Sequence, residues 1–213
     1  MRRLLSRLFG RRPALPLRAA RWVVVDCETS GLDAARDRLL ALGAVAVSAG
    51  RIQLNDSYSA VLRQDAPSDP ANIRVHGIGG EAQLGGRPAQ EVLREFAAFL
   101  GDGLPVAYHA PFDAAVLRRA MAPAAGLRAP RDWHDLARLA PALFPGPGHS
   151  RRALDDWLAA FGIACPARHE ALADAYATAQ LLLVLLAEAE RQGAGTVDRL
   201  SQLERSGRWI GDR

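Results

Sequence analysis

Two carboxylates, Asp26 and Glu28, stand two residues apart at the end of the apolar run Trp22-Val23-Val24-Val25. That run, mostly β-branched, predicts a strand buried on both faces. Side chains alternate along a strand, so both acids project from one face, roughly 6–7 Å apart. At an effective dielectric of about 20 their repulsion is about 2–3 kcal/mol. A cation or a set of donors between them would relieve it. Thr29-Ser30-Gly31 then breaks the strand and supplies hydroxyls and pliable backbone at the same edge. Two chemistries fit this stretch equally well: a salt-bridged strand end before a turn, or a site for a divalent metal.

Three further polar residues stand at or near predicted helix starts. Asp113 follows Ala110-Pro111-Phe112 at a helix start, with Pro111 suited to the first turn. There the helix dipole favours an anion by up to about 1 kcal/mol, which alone would explain an Asp. His169 precedes a long helical pattern and Asp174 lies in its first turns. A histidine at a helix start is ordinarily a surface residue.

The elements that must position these groups follow an α/β order. Strands are predicted at Trp22 onward, Arg38–Val47, Ile52–Leu62, Leu104–His109 and Arg131–Asp135. A hairpin turn at Ser48–Arg51 joins the second and third. Arg63–Pro70 reads as a loop and Val75–Gly80 as a Gly-rich turn, with no dinucleotide fingerprint. Helices are predicted over Pro88–Gly101, Ala110–Met121, Leu136–Leu143, Arg151–Phe161 (with Ser150 as N-cap), Glu170–Arg191 and Val197–Glu204. The long helix places Asp174, Thr178 and Leu181 on one face. Three antiparallel strands followed by strand–helix–strand give a mixed five-stranded α/β sheet with covering helices.

Composition narrows the class. All 27 basic residues are Arg, and the chain carries net +4. Residues 1–21 hold seven Arg and no acid, which leaves the remainder at net −3. The high pI therefore belongs to the leader and is weak evidence for nucleic-acid binding by the body. Leu4, Leu5, Leu8 and Phe9 could form one side of a short helix there, but no secretory h-region is present. A solvated tail is expected for 1–21, ahead of a nucleic-acid arm or a membrane-surface helix. The domain is expected over 22–205, with a tail at 206–213. The richest apolar run, Leu181–Ala187, is too short to span a bilayer. Cys27 and Cys165 form no disulfide framework, so a reducing, cytoplasmic compartment is expected. His134, His149 and Cys165 lack zinc-type spacing.

Three separated stretches carry a resemblance. Val25-Asp26-Cys27-Glu28-Thr29-Ser30-Gly31, His109-Ala110-Pro111-Phe112-Asp113 and His169-Glu170-Ala171-Leu172-Ala173-Asp174-Ala175 resemble the three motifs of the DEDDh 3′–5′ exonucleases. That family includes the proofreading epsilon subunit of bacterial replicative polymerase, ribonuclease T and oligoribonuclease. The likeness runs from about Trp22 to Leu186 and implies a ribonuclease H-like fold. It implies that Asp26, Glu28, Asp113 and Asp174 are the acidic metal ligands and that His169 is the general base. Two divalent cations, Mg²⁺ with Mn²⁺ able to substitute, would sit about 3.5–4 Å apart and serve the attacking water and the leaving 3′-oxygen. An ordinary imidazole titrates near neutrality and can take the water's proton.

The implied reaction is release of nucleoside 5′-monophosphates from single-stranded or frayed 3′ ends, with DNA favoured over RNA and a DNA polymerase as a candidate partner. Thr29, Gly31, His76, His109 and Phe112 are the expected substrate contacts, although a phenylalanine such as Phe112 more often fills core and a turn histidine such as His76 is more often structural. Many relatives carry Asn where this chain has His109. An RNA-trimming enzyme and a catalytically silent nucleic-acid-binding or polymerase-associated module are the competing readings.

Overall fold

The computed structural model describes residues 14–123, 127–146, 152–165 and 169–207. β1 spans Trp22–Thr29, and its residues Trp22 to Val25 are at most 1% exposed, as a strand covered on both faces should be. β2 (Leu39–Ser48) pairs antiparallel with β1, and β3 (Arg51–Val61) antiparallel with β2. Ala49 and Gly50, between β2 and β3, both adopt positive φ, the geometry that matches a two-residue hairpin loop to the twist of its strands. β4 (Leu104–Ala107) and β5 (His134–Asp135) add in parallel on the other side, giving the order β3-β2-β1-β4-β5. This is the expected mixed five-stranded sheet.

Eight helices are described: α1 (Pro70–His76), α2 (Gly80–Leu84), α3 (Ala89–Leu100), α4 (Ala110–Met121), α5 (Leu136–Leu143), α6 (Leu154–Ala160), α7 (Ala171–Arg191) and α8 (Val197–Gly207). α7 lies on one sheet face with α5, α6 and α8, over Trp22, Val24, Val45 and Val47. α3 and α4 cover the other, over Val23, Val25, Leu42 and Ala44. The alternation along β1 thus feeds two separate apolar clusters. By length and composition α7 could cross a membrane, which the short run Leu181–Ala187 did not suggest. Here Leu181, Leu182, Leu185 and Ala189 are fully buried against the sheet and the helices beside it.

Several boundaries differ from the sequence expectation. Leu17 is 1% exposed, its N–H donates to the Gly195 carbonyl (3.1 Å), and its own carbonyl accepts the Trp22 indole N–H (3.0 Å). Arg18 pairs with Glu190 at 2.8 Å. The boundary expected at Arg21 therefore falls inside packed structure, while the leader helix proposed for residues 4–9 lies outside the described residues. At the other end α8 continues to Gly207, past the expected edge at 205. α6 begins at Leu154, where the Asp156 carboxylate accepts the Ala153 N–H (3.0 Å); Ser150 lies outside the described residues. β5 is two residues rather than five, because only Val106 and Ala107 of β4 are available to pair before the chain turns at His109.

The C-terminal helix is tied to the edge of the sheet by one side chain. Glu204 of α8 accepts the Asp135 backbone N–H at 3.1 Å and meets His134 Nδ1 at 3.1 Å. Asp135 in turn accepts the backbone N–H groups of His109 and Ala137, both at 3.0 Å. Replacing Glu204 by Ala leaves a buried donor without its acceptor, so a stability loss of about 2–3 kcal/mol is expected by urea denaturation. A loss below about 0.5 kcal/mol would show that α8 is not held by this contact.

Candidate active site

Helix α7 carries Asp174 to the end of β1. One carboxylate oxygen each from Asp26, Glu28 and Asp174 lies within 4.8 Å of the others. Asp174 is 4% exposed, and Asp26 and Glu28 are half-buried. At such a separation each pair of charges repels by about 3 kcal/mol for an effective dielectric of about 20. An all-oxygen donor set of this charge suits a hard divalent cation. Cys27, between the two acids in sequence, packs with the opposite core cluster. Burial, then the nearby Asp113 and Asp26 charges, push its thiol well above the usual range, so it stays protonated and offers no thiolate.

Asp113, expected as the fourth ligand, stands beside this trio rather than within it. Its Oδ1 accepts the Cys27 backbone N–H at 3.1 Å, which ties the start of α4 to β1. It is 6% exposed, and burial raises its pKa to about 7 against the partial offset of its Cys27 hydrogen bonds. A carboxyl raised in the folded state binds more protons there than in the unfolded chain. Its contribution to stability is therefore complete below the ordinary carboxylate range and falls as pH rises towards about 7. In EDTA, wild type should lose stability between pH 4.5 and 7.5 relative to Asp113→Asn. Parallel denaturation curves for the two proteins would contradict this.

The loop before α7 is held by Asp174 itself. Its Oδ2 accepts the His169 backbone N–H at 2.9 Å, and its Oδ1 accepts the Cys165 thiol at 3.4 Å. His169 is exposed and in the left-handed region (φ 65°), which turns the chain sharply just before the helix. His109 is likewise exposed with φ 62°, as N-cap of α4. Asn and His are among the residues that tolerate this region best, which explains why His can stand in the Asn position of the resembling motif.

The remaining expected contacts are distributed around this centre. Thr29 follows a β-bulge and donates its hydroxyl to the Gly31 carbonyl at 2.6 Å. Gly31 lies against Asp37, whose carboxylate also receives the Ser30 hydroxyl (3.0 Å) and the Asp33 N–H (2.7 Å). A Cβ at Gly31 would come within 2.5 Å of that carboxylate, so a larger residue there would have to displace the Asp37 side chain. Phe112 is half-buried on the α3–α4 side of the sheet. His76 is 4% exposed; its Nδ1 accepts the Ile78 N–H (2.9 Å) and its Nε2 meets Asn72 Oδ1 (2.8 Å). Burial first, and the positive field of His169 to a lesser degree, lower its pKa. Both ring nitrogens are used inside the fold, where they shape the Val75–Ile78 turn. Cys165, Asp37 and Asp135 also support the site, and sequence reasoning gave none of them a role.

A mixed sheet whose central strand ends in acids, with a helix delivering another, has the architecture of the ribonuclease H-like fold. Residues 23–182 match the RNase T exonuclease family, and the chain belongs to it. A PolC-type DNA polymerase III of Thermotoga maritima is 32% identical over 186 residues, covering 87% of this chain and 13% of that protein. A DNA polymerase III subunit epsilon-like protein of Rhodobacter capsulatus is 34% identical over 203 residues, covering 92% and 28%. The chain thus spans less than a third of the length of each of these two relatives. Among solved structures, Exonuclease X in complex with 5′ overhanging duplex DNA superposes with a TM-score of 0.65 at 24% identity, covering 86% of this chain and 99% of that one. Exonuclease I of E. coli in complex with a dT13 oligonucleotide gives 0.67 at 19%, covering 81% and 42%. These two structural likenesses concern the fold.

Proposed function

We propose that this chain is a metal-dependent 3′–5′ exonuclease that releases nucleoside 5′-monophosphates from single-stranded or frayed DNA ends. The convergence of Asp26, Glu28 and Asp174 within 4.8 Å carries the reading. These residues, with Asp113 alongside, would hold divalent cations, Mg²⁺ first and Mn²⁺ as substitute. Bound there, such ions offset phosphate charge and support both the attacking water and the leaving oxygen.

The chain's own residues do the rest. His169, exposed at the mouth of the site, accepts the proton of the attacking water at a ring nitrogen while its backbone stays fixed by Asp174. The water oxygen bonds to phosphorus, the bond to the 3′-oxygen of the penultimate nucleotide breaks, and that oxygen takes up a proton. The Thr29–Gly31 backbone, His109 and Phe112 line the approach and contact sugar, phosphate and the terminal base without reading sequence. His76 acts through the shape of its turn.

DNA is favoured over RNA because the polymerase III relatives act in DNA synthesis by name. The same relatives make a DNA polymerase the proposed partner, while Cys27 and Cys165, which form no disulfide framework, make a reducing, cytoplasmic compartment the proposed location. Matched DNA and RNA single strands labelled at the 5′ end test the substrate. A ladder of shortened, 5′-labelled DNA products formed faster than from RNA is the expected result. Faster RNA shortening would replace the substrate class, and immediate release of the labelled nucleotide would reverse the polarity.

A further inference from the structure

We infer that Gly43, in the middle of β2, is a positioning residue that sets the distance between α7 and the acids of β1. It rests on the metal reading above and deepens it. Gly43 is the register partner of Asp26 in the antiparallel β1–β2 ladder. On the α7 side of that ladder the helix backbone lies directly on the glycine. A Cβ built at Gly43 would lie 2.1 Å from the Ala171 carbonyl carbon, 2.3 Å from its oxygen and 2.3 Å from the Leu172 nitrogen. Real Cβ atoms essentially never come closer than 3.0 Å, so no residue with a side chain fits this seat. Glycine within a strand marks such a backbone approach.

The contact fixes geometry because neither side can yield by a rotamer change: all three atoms met are main chain. β2 is locked between β1 and β3 by ladders on both edges. Relief must therefore come from α7 moving outward by about 1 Å or more at Ala171–Leu172. Asp174 stands one turn further along, its N–H donating to the Glu170 carbonyl at 2.9 Å, so it moves with that turn. His169 moves too, since its backbone N–H is held by the Asp174 carboxylate. A single Cβ would thus withdraw the proposed third ligand and the proposed base together from Asp26 and Glu28. Misplacement of about 1 Å at a reacting centre costs on the order of 100-fold in rate.

The test compares wild type, Gly43→Ala and Gly103→Ala. The control crowds Val23 (2.6 Å from its Cγ2) at the other end of β1, near the start of β4. Mn²⁺ binding by calorimetry and single-turnover hydrolysis are the readouts. The expected result is a Gly43→Ala protein with wild-type circular dichroism, Mn²⁺ affinity weaker by about tenfold or more and kcat lower by about 100-fold. Gly103→Ala should lose stability while keeping Mn²⁺ affinity. Adding Asp174→Glu to Gly43→Ala, whose longer side chain reaches back across the gap, should recover part of the affinity. Mn²⁺ affinity in Gly43→Ala within twofold of wild type overturns the inference alone, whereas absence of Mn²⁺ binding by wild type overturns the metal reading and the inference with it. If Gly43→Ala does not fold, hydrogen exchange on wild type decides. Asp174 and Ala175 amides protected nearly as well as the sheet core support a seated helix start, and fraying rates there overturn it.

Discussion

Asp26→Asn should lower the hydrolysis rate by on the order of 10³-fold, about 4 kcal/mol of barrier, while making the metal-free protein more stable. The two effects have one origin. Asp26, Glu28 and Asp174 bring three carboxylates within 4.8 Å of one another. Without a cation they repel, and neutralising one removes about 1–3 kcal/mol of strain. A functional site that costs stability in this way is a familiar trade-off. Denaturation in EDTA should show Asp26→Asn above wild type. Saturating Mg²⁺ should stabilise wild type by about 2.7 kcal/mol at one hundred times its Kd and leave the variant little changed. An Asn variant that is less stable in EDTA would mean that Asp26 mainly serves its structural partners.

His169→Asn should reduce kcat by about 10²–10⁴-fold with metal affinity intact. Asn suits the left-handed conformation that His169 adopts (φ 65°), so the loop should keep its path. The hydrogen bond to Asp174 comes from the backbone N–H and survives the substitution. What disappears is the imidazole, and with it the ring nitrogen proposed to take the water's proton. Mn²⁺ calorimetry beside single-turnover rates separates the two roles. Loss of affinity in step with rate would make His169 a structural element of the metal site.

The opening acids were readable because a strand's period of two puts Asp26 and Glu28 on one face whatever surrounds them. Whether a third acid joins them was not readable, since that depends on α7 bringing Asp174 from 146 residues beyond Glu28. α1 was overlooked between the Arg63–Pro70 loop and the Val75–Gly80 turn, and α2 at the end of that turn and beyond it. Yet Asp69 caps α1 through the Ala71 N–H, Pro70 stands at its start and Gly77 adopts φ 69° at its end. These are ordinary helix signals that a seven-residue helix carries without any amphipathic repeat. The same brevity hid the limits of β5, whose length is set by where β4 turns. The resemblance made Asp113 a fourth ligand, but its tie to the Cys27 backbone N–H was not readable, because spacing says nothing of which donor a carboxylate will meet. Cys165 gave no signal at all, because its contact with Asp174 exists only once the loop folds back on α7. Gly43 did give one: a glycine inside an otherwise apolar strand asks what lies against it.

Hydrolysis at a 3′ end is expected to depend on divalent metal held by the Asp26–Glu28–Asp174 cluster. Release of nucleoside 5′-monophosphate from single-stranded DNA, followed as Mg²⁺ is titrated into EDTA-treated wild type and Asp26→Asn, tests it most directly. The expected result is no release without metal, saturable release from the 3′ end with it, and at most a trace from the variant. Hydrolysis that persists in EDTA, or that is equal in the two proteins, would contradict it.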